Sequence, residues 1–318
     1  MRKEFFGSEG SNYLQAKRLK DEIRDFSHLD IDIRESDEIE KIFRKYSTDI
    51  ELVIHTAAQP SHEWAATNPL TDFSINATAT IGLLENVRKY SSNATFIFTS
   101  SNKVYGDRPN SLPFCENSTR WELPVEHELY QNGISESMSI DQNTHSLFGS
   151  SKLAADIMVQ EYGRYFGIKT GVFRIGCVSG PVHSATEMHG FLGYIMYCLQ
   201  NEREYNIYGY KGKQVRDNIH SYDLVRAFDF FHQDPKTGEV YNMGGGRNSS
   251  CSLLEAIELC EQAAEKRLKH SYIDRARVAD HIWYISDTRK FKEHYPAWQQ
   301  RFTLSDIIND LLESTKPQ

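Results

Sequence analysis

The segment Thr99-Ser-Ser-Asn-Lys-Val-Tyr-Gly-Asp107 follows the apolar run Ala94 to Phe98, and His145-Ser-Leu-Phe-Gly-Ser-Ser-Lys152 comes later in the chain. Ser101 would sit at the carboxyl end of a strand, where a hydroxyl can hydrogen-bond an oxygen that passes between alcohol and carbonyl. Lys152 falls on a helix, where an ammonium can lower the pKa of an acid beside it. Phe148, four residues before Lys152 and on the same helix face, has no proton to give or take. His145, near that face with an ordinary pKa of about 6.5, is the obvious substitute, although it could equally cap the helix or pack locally.

These residues need a rigid frame, and the chain's rhythm supplies one. Short β-branched runs alternate with helical patterns: Leu52 to Thr56, then a helix near Ile75 to Tyr90; Thr95 to Ser100, then Ser146 to Phe166; then Thr170 to Ile175. This is the βαβ pattern of a doubly wound parallel sheet covered on both faces, an α/β fold of Rossmann type. Leu153, Met158, Val159, Tyr162 and Phe166 recur near a 3.6 period, and Gly167 stands where a helix would end. After Gly180-Pro181 the rhythm loosens into Tyr208-Gly-Tyr-Lys-Gly-Lys213 and Gly244-Gly-Gly-Arg247, with helical patterns at Leu253 to Lys266 and Leu304 to Leu312. The expected division is a nucleotide-binding domain over 1–180 and a smaller, partly intertwined substrate-binding region over 181–318.

Bulk properties narrow the function. With 36 basic and 44 acidic residues the formal charge is −8, which offers no polyanion-binding surface, so nucleic acid is not an expected partner. Five cysteines without CxxC spacing suggest neither a zinc site nor a disulfide framework. No run approaches the roughly 20 apolar residues that span a bilayer, and the N-terminus lacks an apolar signal core. A cytoplasmic protein without a membrane partner is expected. No internal repeat is visible.

The start of the chain is unusual for a nucleotide-binding fold. A dinucleotide site opens with a strand, a glycine-rich turn and a helix. The stretch before Leu52 is mostly polar, and Gly7-Ser-Glu-Gly-Ser11 neither follows an apolar strand nor spaces its glycines correctly.

Three separated segments, Thr99 to Asp107, His145 to Asp156 and Gly212-Lys-Gln-Val-Arg-Asp-Asn-Ile-His220, agree in order and spacing with a known group. The chain resembles the extended short-chain dehydrogenases, the NAD-dependent epimerase/dehydratase family, in the branch of the CDP-paratose 2-epimerases, also called CDP-tyvelose epimerases. The resemblance implies a chain that starts just after the family's second strand. It would then lack the first strand, the helix and the second strand, and a strand near Leu29 to Ile33 would have no neighbour.

The resemblance also implies roles. Asp32 and Ile33 would meet the adenine end of NAD, and Thr56, Ala57 and Ala58 would let the backbone approach the cofactor. Ser101 would hold the reacting sugar oxygen, and Lys152 would bond the nicotinamide ribose and, in ordinary members, lower the pKa of a tyrosine that stands where this chain has Phe148. Asn102 and Lys103, on the substrate side, replace the acid pair with which the 4,6-dehydratase branch eliminates water. Arg216 and Arg277 would clamp the substrate diphosphate. The expected activity is 2-epimerisation of a CDP-dideoxyhexose through a keto sugar, in a homodimer that retains NAD. The alternatives are a catalytically degenerate sugar-nucleotide-binding protein and a UDP-sugar 4-epimerase-like enzyme or reductase.

Overall fold

The computed structural model describes residues 13–314 except 182, 184, 185, 188 and 189. Four strands, Leu52–His55, Thr95–Ser101, Lys169–Ile175 and Glu239–Met243, lie side by side in that order, all parallel. Both faces are covered, which explains why the inner strands read as unbroken apolar runs. Phe96, Phe98 and Val172 pack with Leu84, Val87, Ala155 and Val159 of the helices on one side. Ile97 and Phe173 point the other way, into a cluster with Phe228, Phe231, Phe291 and Trp298. The doubly wound sheet is therefore present, and Glu239–Met243, from the second half of the chain, completes it.

The helix Leu147–Phe166 forms as its pattern predicts. Ser146 caps it by accepting the Gly149 amide, and Gly167 ends it with a left-handed φ of 69° that a side chain would disfavour. The helix expected from Ile75 differs at its start. A π-helical stretch, Ser74–Thr78, precedes the regular helix Ala79–Tyr90 and turns Asn76 inward, where it is 1% exposed.

The second half adds Val215–His220, which pairs with Cys177–Ser179, Ser250–Ser252 and Trp283–Tyr284. A separate core joins the helices Phe191–Gln200, Leu253–Ala264 and Leu304–Ser314.

Leu29 to Ile33 is irregular chain and not a strand. The physical reason is pairing: no strand among the described residues lies beside it to accept a ladder of hydrogen bonds, and a lone strand is not stable in water. The Gly7 to Ser11 segment lies outside the described residues. Among the described residues, no helix is long and apolar enough to cross a membrane.

Candidate active site

Ser101 ends its strand and caps the short 3-10 turn Asn102–Tyr105, its hydroxyl accepting the Lys103 amide at 3.2 Å. The Lys152 ammonium donates to the Thr99 carbonyl at 2.8 Å and stands 4.1 Å from the centre of the Phe98 ring. The carbonyl that Lys152 meets is two residues before Ser101, so the ammonium and the hydroxyl both stand near the carboxyl end of one strand, although the Ser101 side chain starts from the face opposite Phe98. Only 3% of Lys152 is exposed. Burial pulls its pKa down to about 7, against the opposing pull of Asp156 and Asp72.

Phe148 is buried at the start of the same helix. His145 Nε2 bonds the Val104 carbonyl at 2.8 Å, tying the helix approach to the 3-10 turn. A different imidazole stands at Phe148. His62 meets the Phe148 ring edge-on with 4.8 Å between centroids, and its Nδ1 is 2.8 Å from Ser146 Oγ. The sequence carried one signal for it, a cap-forming Ser61 after the strand Leu52–His55, with the histidine first in the helix His62–Thr67.

The loop that carries His62 is braced from below. Gln59 Nε2 donates to Asp72 Oδ1 at 2.7 Å, and Ser151 Oγ donates to Asp72 Oδ2 at 2.6 Å. Asn76 accepts the Gln59 amide at 2.9 Å and donates to Ser151 Oγ at 3.0 Å. A buried polar network with every member bonded is rigid.

On the substrate side Lys103, Asp280 and Arg216 form one cluster. Lys103 Nζ donates to the Ala279 carbonyl at 3.0 Å and is 3.7 Å from Asp280 Oδ1, which also receives Arg216 in a short contact. Burial alone would raise the Asp280 carboxyl, but Arg216 and Lys103 outweigh it and hold the pKa at about 2. Burial lowers the Lys103 ammonium to about 8, with Asp280 opposing. Two cations thus share one carboxylate, an excess of positive charge suited to a phosphate. Asn102 is buried beside them. Arg277, whose carbonyl accepts the Asp280 amide at 3.2 Å, stacks its guanidinium over Tyr208 at 4.5 Å. Asp280 is the member that sequence reasoning passed over, because nothing local distinguishes its carboxylate from a surface acid.

The two ends of the expected cofactor site differ. Thr56, Ala57 and Ala58 are exposed at the carboxyl end of Leu52–His55 and leave room for a close approach. Together with Lys152 and Ser101 they fit a nicotinamide riboside. At the adenine end, the Asp32 carboxylate is gripped by its own neighbour, with Arg34 Nε and Nη2 donating at 3.0 and 2.7 Å, and Ile33 sits half-buried in the turn. Residues 13–51, ahead of the strand Leu52–His55, contain no glycine, so the described residues form no glycine-rich turn before that strand.

A parallel sheet wound on both sides, with its functional side chains gathered at the carboxyl edge, defines a nucleotide-binding α/β protein. Residues 5–244 match the model of the NAD dependent epimerase/dehydratase family, and the chain belongs to that family. It is 31% identical over 299 residues to CDP-paratose 2-epimerase of Salmonella typhi, covering 91% of this chain and 84% of that protein. It is 30% identical over 264 residues to dTDP-glucose 4,6-dehydratase of Salmonella typhimurium, covering 78% of this chain and 67% of the relative. The fold superposes on UDP-glucose 4-epimerase of Thermus thermophilus in complex with NAD with a TM-score of 0.72 at 21% identity, over 90% of this chain and 83% of that one.

Proposed function

We propose that the protein is an NAD-dependent nucleotide-sugar epimerase that inverts C2 of a CDP-dideoxyhexose through a keto intermediate. The observation that carries this reading is Lys103, turned onto Asp280 and Arg216 directly after Ser101 and Asn102. Elimination of water needs an acid there to protonate the leaving hydroxyl. Asn102 cannot serve, and Lys103 belongs to an anion-binding cluster. What remains is oxidation and reduction at one carbon.

NAD, when bound, supplies a hydride acceptor that becomes the donor in the return step, so none is consumed. Ser101 holds the oxygen of the reacting carbon as it turns from hydroxyl to carbonyl. Lys152 would bond the nicotinamide ribose and add a positive potential near neutral pH. Arg216 and Lys103 bind the diphosphate, leaving the sugar free to turn over between the two hydride transfers. Arg277 on Tyr208 would contact the nucleotide end. The helices around Lys152 expose Ile157, Tyr165 and Phe166, which suits a homodimer.

Phe148 favours a second reading, a protein that binds the sugar nucleotide without turning it over. The test is proton NMR of purified protein with NAD and CDP-paratose or CDP-tyvelose. Appearance of the C2 epimer supports the first reading. Loss of water from the sugar, or binding without inversion, overturns it.

A further inference from the structure

We propose that His62 is the group that takes the proton from the sugar hydroxyl and returns it, doing from the loop after Leu52–His55 what Phe148 cannot do from the helix. This assignment rests on the epimerase reading. It is carried by four observations.

The first is place. The imidazole lies edge-on against the Phe148 ring, 4.8 Å between centroids, so it adjoins the position from which a phenol at residue 148 would act. The second is orientation. Nδ1 is 2.8 Å from Ser146 Oγ, which also accepts the Gly149 amide at 3.0 Å as the cap of the helix carrying Lys152. With Nδ1–H donated to Ser146, Nε2 presents its lone pair, and Nε2 has no hydrogen-bond partner among the described residues. An imidazole oriented by a hydroxyl on one nitrogen and free on the other is the arrangement general bases use. Third, the backbone beneath is fixed: the Ser61 hydroxyl accepts the Trp64 amide at 3.2 Å, and Gln59 is locked into the Asp72, Asn76 and Ser151 network. The fourth is charge. Burial first and Lys103 second lower its pKa to about 3, against Asp280, so the ring is neutral in the free protein, and an anion bound at Lys103 would offset the second of these causes and strengthen the base. A neutral ring is the form that can accept a proton.

The step balances. The sugar O–H bond breaks and its proton passes to Nε2. The freed electron pair forms the second carbon–oxygen bond, and the C–H pair leaves as the hydride that the bound cofactor accepts. The return step reverses each transfer on the opposite face of the ketone, with no water lost or gained.

Two measurements test the assignment. In the free protein, nitrogen-15 NMR of the histidine rings at neutral pH should show His62 protonated at Nδ1 and bare at Nε2; the opposite tautomer overturns the proposal, whatever the activity. In the holoenzyme, His62→Gln should lower kcat by about 100- to 10,000-fold, with CDP binding by calorimetry changed by less than about threefold. Adding Phe148→Tyr to His62→Gln should restore a measurable part of the lost rate. Turnover by His62→Gln near the unaltered protein's, with binding intact, overturns the assignment and leaves the epimerase reading standing. Failure of the unaltered protein to invert any CDP-sugar overturns both.

Discussion

Two aspartate–arginine pairs stand near the carboxyl edge of the same fold and do opposite things. Arg174 meets Asp156 side-on, Nε and Nη2 donating at 3.0 and 2.9 Å, while Ser100 donates to the same carboxylate at 2.6 Å and Tyr105 accepts from the guanidinium at 3.1 Å. One charge answers one charge, every polar atom of the two side chains is bonded, and both are buried, at 6% and 0% exposure. Arg216 and Asp280 differ in stoichiometry, because Lys103 shares the carboxylate and leaves one positive charge over. The closed pair braces the sheet beneath Ser101. The open cluster keeps a surplus positive charge and part of its surface exposed. Charge balance, more than the identity of the residues, separates scaffold from site.

The strongest way to break the comparison is Asp156→Ala. It strands the Arg174 guanidinium in the core, and a loss of about 3–5 kcal/mol is expected, read as a fall in the urea midpoint. If the midpoint hardly moves, Arg174–Asp156 is not the brace described. Arg216→Ala should reverse the pattern, leaving the urea midpoint near that of the unaltered protein. Affinity for CDP should drop by about 1.5–3 kcal/mol, the range for a charged hydrogen bond, or roughly ten- to hundredfold in Kd by calorimetry.

Lys152 extends the scale to a buried cation with no ion-pair partner among the described residues. Its folded pKa of about 7 lies below the ordinary 10.5. Between those values the unfolded chain holds a proton the folded one has lost, so stability rises with pH across that window, and the cost of burying the charge is fully present below it. In Lys152→Met that alkaline rise should shrink, as guanidinium midpoints at about pH 7 and about pH 10 would show. An unchanged slope would mean that the ammonium is not desolvated. The smallest effect belongs to Arg34 and Asp32, a partly exposed pair at 33% and 20%. Arg34→Ala should change stability by less than about 1 kcal/mol, and a thermal shift well beyond this would show that the turn depends on it.

Much of the frame was legible in the amino-acid order. The helix Leu147–Phe166, its Ser146 cap and its Gly167 stop follow from periodicity and two terminal residues. The strand that delivers Ser101 follows from an apolar run next to hydroxyl residues, and Phe148 could be read as chemically silent without any coordinates. Three features were not legible. Asp280 meets Lys103 across a separation of 177 residues, a contact that no local pattern encodes. His62 reaches Phe148 because a π-helical turn and the Asp72 network set the loop after Leu52–His55 against the helix cap. Leu29 to Ile33 has strand-like residues and is not a strand, since pairing depends on a neighbour and not on the segment itself.

The order of residues by itself determined which elements form and which chemical groups the chain owns, because backbone sterics and side-chain period act over a few neighbours. The tertiary structure alone decided which of those groups share a crevice and with what net charge. That outcome depends on how the layers of the sheet stack, a long-range packing of many side chains that no short window of sequence contains.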